Sequence, residues 1–292
     1  MASLLLQKGP WFWEIFWKMN TLLPAVLACP NCHGALVFSA DQLRCAHCDV
    51  AFAVQSGVPI FAEEEVEIVD ESHQSNSLGA EYEKILSEGK DFVLHIGAGA
   101  TTTRFPNCIE LEHKIFRNTD VVSDAHHLPF RENVFDRVFA FNVFEHLRDP
   151  KTAAAEILRV LKPGGSVSIH TAFLQPLHEE PAHFFNCTAY GAREWFAHFA
   201  IDRCEVSPNF SPAYMLGFLS ATLLDTLRAG EVAPEEQDAI GQTSLVDWAR
   251  FWEGKTGAPP GFVTLQNLPS SLQQRVAAGF ELHAHKRNLE ET

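Results

Sequence analysis

Residues 91–104 read Asp-Phe-Val-Leu-His-Ile-Gly-Ala-Gly-Ala-Thr-Thr-Thr-Arg, an apolar run that breaks into Gly-Ala-Gly. A run of this kind suits a strand buried on both faces of a parallel sheet that opens into a ligand-binding turn at its carboxyl end. Glycines let backbone approach backbone, and successive N–H groups can then face a polar or anionic ligand. Many strand ends carry a lone Gly-x-Gly merely to turn, so the downstream chain has to supply the rest.

It supplies an ordered series. Asn107–Glu112 is a second apolar strand ending in carboxylates, and Asp120–Ser123 is a third, followed by Asp124-Ala-His-His-Leu-Pro-Phe130. A fourth strand, Asp136–Asn142, precedes Val-Phe-Glu-His-Leu147, and Asp149-Pro150 caps a helix with apolar positions at Ala154, Ile157, Leu158 and Leu161. After Lys162-Pro-Gly-Gly165 comes a fifth strand, Ser166–Thr171. Short apolar strands alternating with crossovers predict an α/β fold with a mostly parallel sheet. Upstream, the spacing of Leu78, Tyr82, Ile85 and Leu86 predicts a helix leading into the first strand. Downstream, Thr188–Phe199 reads as a helix, Ile201–Val206 as a late strand, and Tyr214–Leu227 as an apolar helix serving as core or cavity wall. Helical stretches near 235–253 and 268–288 close the chain.

Charge narrows the partners. Lys and Arg total 22 against 37 Asp and Glu, a net charge of −15, which argues against sequence-independent nucleic-acid binding and against docking on anionic lipid. No apolar run reaches the roughly 18–20 residues that span a bilayer. The first residues lack the charged start and cleavage site of a secretory signal, so the cytoplasm is the expected compartment. Trp11-Phe-Trp-Glu-Ile-Phe-Trp17 is the exception in an otherwise ordinary composition. It is expected to pack on the body, with a lid, an interface or weak peripheral membrane contact as the other uses of such a stretch.

Seven cysteines occur, four of them as Cys29-Pro-Asn-Cys32 and Cys45-Ala-His-Cys48, twelve residues apart. Each pair can form a knuckle presenting two thiolates, and two knuckles complete a tetrahedral set, so structural zinc is favoured over redox-active pairs. His33 and His47 are read as neighbours of the ligands. The surrounding segment, Leu27-Ala-Cys-Pro-Asn-Cys-His-Gly-Ala-Leu36 through Ser56-Gly-Val-Pro-Ile-Phe61, resembles the zinc-ribbon activator subunit that partners tRNA and protein methyltransferases, here fused in cis. That resemblance implies a scaffold role, because four thiolates leave the ion no open position. Glu63–Ser72 follows as an acidic linker, read as a solvated run.

The order of glycine turn, acidic strand end, Asp-Ala, Asn and Lys-Pro-Gly-Gly resembles the class I S-adenosylmethionine-dependent methyltransferases of the type 11 kind, whose sheets are of a seven-stranded type. The resemblance covers residues 80–206 and implies S-adenosyl-L-methionine as cofactor. It implies that Gly97, Ala98 and Gly99 approach the methionine part and that Glu112, or failing it Glu110 on the same face, accepts the ribose hydroxyls. Asp124 would accept from the adenine amino group, the Ala125 N–H would face a ring nitrogen, and Asn142 would line the opposite side. His95 stands where the family usually has a carboxylate, and is read as bonding the cofactor or packing; Thr101 stands near a usual glycine.

One departure is larger. Only eight residues separate Gly99 from Cys108, whereas a parallel connection normally takes about a dozen, usually with a helix. The first helix is therefore expected to shrink to a turn or loop, with the N-terminal aromatics or the ribbon as candidate cover. The expected division is an aromatic segment at 1–28, the ribbon at 29–61, the linker at 62–77, the methyltransferase domain at 78–210 and a helical extension at 211–292.

Methyl transfer needs a positioned, deprotonated nucleophile in a dry pocket. A histidine suits general-base duty towards a hydroxyl, and the candidates are His178 or His183, then His146. Phe173, Phe184, Phe185, Tyr190, Trp195 and Phe196 suggest an aromatic pocket for a small or amphiphilic acceptor, methylated at oxygen. Asn142-Val-Phe-Glu replaces the Asn/Asp-Pro-Pro-Tyr signature of many nitrogen-directed enzymes. The alternatives are a non-catalytic binding protein on a degenerate methyltransferase fold, or an RNA- or protein-modifying enzyme that uses the ribbon for docking.

Overall fold

The computed structural model describes residues 20–39, 41–62, 65–75 and 78–283. The aromatic stretch Trp11–Trp17 lies outside the described residues. The chain divides into two units, the residues up to Phe173 with Phe184–Cys204, and Leu174–His183 with those from Glu205 on.

The first unit begins with a short helix, α1 (Leu23–Val26), and an antiparallel meander of β1 (Leu36–Phe38), β2 (Gln42–Cys45), β3 (Ala51–Gln55) and β4 (Val58–Pro59). The pairing of Gln55 with Val58 leaves a two-residue loop, Ser56-Gly57, with φ of 52° and 85°. Two positive φ values define the hairpin turn whose twist matches the strands it joins. Helix α2 (Ala80–Glu88) then leads into the main sheet.

Among the described residues that sheet has five strands, all parallel, in the order β7-β6-β5-β8-β9. They are β5 (Val93–Ile96), β6 (Cys108–Glu112), β7 (Val121–Val122), β8 (Phe135–Phe141) and β9 (Leu161–His170). Every residue of β5 and β6 is buried, as expected of strands covered on both faces. On one face Leu94, Ile96, Ile109, Leu111, Val138 and Ala140 pack against Ala153, Ala154 and Ile157 of α3 (Pro150–Val160). On the other, Val93, Cys108 and Phe139 meet Leu86 and Tyr82 of α2. Asp149 caps α3 as expected, its side chain accepting from Lys151 N and Thr152 N. After β9 comes α4 (Ala189–Trp195), within the helix expected there. Ile201–Val206, expected as a strand, is irregular. Only Ile201 packs on the core, so the segment has no apolar face to bury in a sheet.

Ribbon and sheet share one core. Leu43 of β2, Phe61, Leu23 and Leu27 belong to the same buried cluster as Leu94 and Phe130. The backbone also joins them: Phe61 N donates to Val122 O at 2.8 Å, and Ala28 N to Pro129 O at 2.9 Å. Ile60 bridges Val122 in parallel, so the end of the ribbon covers the edge strand β7 and satisfies groups that would otherwise face outward.

The second unit contains α5 (Pro212–Ala229), α6 (Pro234–Gln242), α7 (Leu245–Trp252), α8 (Phe262–Gln266) and α9 (Ser270–Val276). Leu227, Ile240 and Leu268 form its centre. The core role expected for Tyr214–Leu227 holds only for its C-terminal half, since Tyr214, Leu216, Phe218 and Leu219 are exposed. No helix among the described residues is long and apolar enough to cross a membrane.

Because Leu43 seals a core common to both sheets, Leu43→Ala is expected to destabilise the whole first unit by about 2–5 kcal/mol. Urea denaturation followed by circular dichroism should show one cooperative transition moved to lower urea, and a separate early transition would mean that the ribbon folds alone.

Candidate functional site

The order of the strands reverses between β5 and β8, and in open α/β sheets ligands bind outside the carboxyl ends of the strands at that point. Gly97-Ala98-Gly99 follows β5 there and Asn142 follows β8. Gly97 and Gly99 have φ of 67° and 66°, the left-handed region that favours glycine. A β-carbon on Gly97 would lie 2.3 Å from Val143 Cγ2, and one on Gly99 would lie 2.5 Å from Ser75 Oγ. Both contacts are too close, so these positions need glycine for space as well as for conformation. Asn142 also has a positive φ of 56°, and its N–H donates to His170 O at 3.0 Å.

The two carboxylates of β6 take different partners. Glu112, at the strand end, accepts from Gly99 N at 2.6 Å through Oε1 and from His113 N at 3.1 Å through Oε2. Glu110 accepts from the Thr101 hydroxyl at 2.8 and 2.7 Å. Asp124, just after β7, accepts from His126 N at 2.9 Å, and Ala125 beside it is buried. Gly97–Gly99, Glu112, Asp124, Ala125 and Asn142 therefore all stand at carboxyl ends of strands in one unit.

Residues 97–107, all described, form no helix. Polar contacts hold the short crossover instead. Asn118 Nδ2 donates to Thr101 O at 2.9 Å, Arg104 pairs with the buried Asp120, and Asn20 Nδ2 donates to Cys108 O at 2.9 Å. A further segment reaches the turn: Ser75 Oγ accepts from Ala100 N at 2.9 Å. Ser75 lies just past the acidic run Glu63–Ser72, whose described acidic residues Glu65, Glu67, Asp70 and Glu71 are exposed. The chain beside it is anchored by Val69 N to Ile115 O and Ile115 N to Glu67 O, each at 2.9 Å, and by Arg117 to Glu71 O at 2.8 Å and His73 O at 2.6 Å. Sequence reasoning missed Ser75, Arg104, Asn118 and Asp120. Thr101, standing in place of a usual glycine, was the one available signal.

Burial sets the charges here. It pushes the Glu110 carboxyl up to about 8, against the Thr101 hydroxyl bond that lowers it and with the Asp120 charge that adds to the rise. Asp120 is also raised by burial, and its bond from the Glu110 N–H and the Arg104 charge oppose the shift. Burial lowers His95 to about 4, leaving a neutral ring packed 6.4 Å from Phe139 and 6.0 Å from Phe141 between centroids.

The catalytic candidates fall in both units. His146 closes a short 3-10 turn, Phe144–His146, in the first unit. His178 and His183 lie together in the second, their ring centroids 4.1 Å apart, with His178 N donating to His183 Nδ1 at 3.3 Å. Of the expected pocket aromatics, Phe196 is sealed in the core against Phe144 at 5.0 Å, and Tyr190 faces solvent at 83% exposure. Neither lines an open pocket, because Phe196, just past the end of α4, is buried in the core and Tyr190 on α4 faces solvent.

In the ribbon the four cysteine sulfurs lie within 4.8 Å of one another, with Cys29 to Cys48 at 3.6 Å and Cys32 to Cys45 at 3.4 Å. Tetrahedral zinc–thiolate bonds of about 2.3 Å place sulfurs roughly 3.8 Å apart, so the set suits such an ion. Cys45 Sγ also accepts from His47 N and Cys48 N, both at 3.4 Å, as a thiolate in a knuckle does.

Comparison with known proteins finds similarity in two parts of the chain. The family described as methyltransferase domain, type 11, matches residues 102–169. The ubiquinone/menaquinone biosynthesis C-methyltransferase of Idiomarina loihiensis is 34% identical over 96 residues, 32% of this chain and 35% of that protein. The chain spans about a third or less of the curated methyltransferases it matches. A UPF0434 protein of Methylibium petroleiphilum is 39% identical over 56 residues, 18% of this chain and 86% of that one. Among solved structures, a Haemonchus contortus phosphoethanolamine N-methyltransferase in complex with S-adenosylhomocysteine is similar over 56% of this chain and 44% of its own, at 17% identity and a TM-score of 0.35. The chain carries a class I methyltransferase domain. Its N-terminal, zinc-ribbon-like segment belongs to the UPF0434 family, and the two are joined in one polypeptide.

Glu110 has a linkage consequence. Its folded pKa lies above its unfolded value, so the folded state holds the extra proton between about pH 4.5 and 8. Stability attributable to it falls as pH rises through that window, by at most about tenfold in the folding constant per pH unit, and then levels. Glu110→Gln is therefore expected to match wild type near pH 4.5 and to gain on it progressively up to pH 8. Urea midpoints of both proteins at pH 5, 6.5 and 8 check this, and a constant difference would contradict it.

Proposed function

We propose that the protein is an S-adenosylmethionine-dependent methyltransferase acting on a small or amphiphilic acceptor, at oxygen. The observation that carries the reading is that Gly97–Gly99, Glu112, Asp124 and Asn142 all stand at or just after the carboxyl ends of strands in one parallel sheet, whose order reverses between β5 and β8. The cofactor, when bound, supplies an electrophilic methyl group on a sulfonium. Glu112 would exchange its bond from Gly99 N for the ribose hydroxyls, a trade of one N–H···carboxylate bond for O–H donors. The freed N–H and its neighbours would then face the methionine part. Asp124 would accept from the adenine amino group and Ala125 N–H would donate to the ring. His146, in the same unit as these strand ends, would hold the acceptor's hydroxyl and take its proton on an imidazole nitrogen. The acceptor's amphiphilic character is supported by the match to a quinone-pathway enzyme, whose own name specifies carbon as the methylated atom.

Zinc in the four-cysteine set would be structural, closing the ribbon that covers β7. Removing it with a strong chelator is expected to lower the melting temperature of the first unit, and an unchanged melting curve would contradict a structural ion.

A second reading has a specific observation behind it. The turn N–H groups and Glu112 already satisfy one another and Ser75, as a ligand-free scaffold could also do. Isothermal titration with S-adenosylmethionine separates the two. Wild type is expected to bind, with Glu112→Ala and Asp124→Ala each weakening affinity roughly tenfold or more, as loss of a charged hydrogen-bond acceptor does. An absence of heat with wild type would end the methyltransferase reading.

A further inference from the structure

Asp124 is held by a side chain the cofactor reading does not use. Two residues on, His126 donates its backbone N–H to Asp124 Oδ1 at 2.9 Å, and its ring folds back so that Nδ1 lies 2.5 Å from the same oxygen. The other ring nitrogen, Nε2, lies 3.1 Å from Asp149 N. A backbone N–H can only donate, so Nε2 must accept. A neutral imidazole carries a single ring proton, which places it on Nδ1, pointing at Asp124. That bond is charge-assisted. Asp149 is fixed in turn, since its own side chain accepts from Lys151 N and Thr152 N at 3.2 Å each and so caps α3.

A continuous chain thus runs from the N-terminus of α3 through Asp149 and His126 to one oxygen of Asp124. The His126 side chain is 15% exposed and that of Asp124 is 59% exposed, so the support is mostly sheltered while the supported carboxylate opens outward. Among the described residues no hydrogen bond falls on Asp124 Oδ2.

We propose that His126 is a positioning residue that holds Asp124 with Oδ2 presented to the 6-amino group of the adenine, and thereby sets the preference of the site for adenine over 6-oxopurine. The inference rests on the methyltransferase reading given above. A fixed carboxylate accepts from an amino group and repels a carbonyl oxygen at the same position. A carboxylate free to rotate into water does neither as well.

The test is titration of S-adenosylhomocysteine and S-inosylhomocysteine, which differ at that position, into wild type, His126→Phe, His126→Ala and His126→Asn, with melting temperatures measured alongside. His126→Phe keeps a ring of similar size, leaves the backbone N–H bond to Asp124 and removes both ring hydrogen bonds, so it remains informative if His126→Ala does not fold. Wild type is expected to prefer the adenosyl compound by roughly ten- to a hundredfold, the worth of a hydrogen bond to a charged group. The ratio should shrink to within about threefold in His126→Phe and His126→Ala, and largely survive in His126→Asn, which retains a donor for Oδ1. A ratio kept in His126→Phe, or an equal loss for both compounds, overturns the proposal alone. Failure of wild type to bind either compound overturns it together with the methyltransferase reading.

Discussion

Eight residues must carry the chain from Gly99 to the start of β6, and much of the site's architecture follows from that limit. A helix of ordinary length cannot form in so short a span, so the crossover runs as a loop close over one face of the sheet. A loop leaves backbone polar groups that a helix would have paired internally, and these need partners. Glu112 accepts from Gly99 N, Ser75 from Ala100 N, and Asn118 donates to Thr101 O, while the side chains of Thr101 and Arg104 meet the buried carboxylates of Glu110 and Asp120. The protonated state of Glu110 is a consequence, because one hydroxyl donor cannot hold a buried carboxylate charged beside a second one.

The same limit explains the role of the segment before α2. Gly99 and Ala100 are covered by Ser75, whose segment is anchored by backbone bonds at Ile115 and by the Arg117 side chain. The ribbon's tail covers the edge at β7 through Ile60, and Ser75, further along the chain, covers the turn. Joining ribbon and sheet in a single polypeptide makes that arrangement intramolecular, and the shared core of Leu43, Phe61 and Leu94 makes it cooperative.

The elements that the sequence revealed share a short-range cause. The buried strands were legible as apolar runs, α3 from Asp149-Pro150 and its spaced alanines and isoleucine, and the metal set from two Cys-x-x-Cys pairs. The exposure of the first half of α5 was not, because apolar content does not say which face finds a partner. Glu110 and Glu112 were equivalent by the alternation of a strand. Only the path of the crossover separated them, by placing Thr101 over one and Gly99 against the other.

The sequence by itself determined the parallel α/β class, the glycine turn, the four-thiolate ribbon and the missing first helix, since each depends on residue type and spacing over a few positions. Only the tertiary structure decided what finishes the turn. Ser75, Asp149 and His126 acquire their roles through contacts between segments 23 to 25 positions apart. No local pattern encodes such contacts, because they exist only once the sheet has brought its carboxyl ends together.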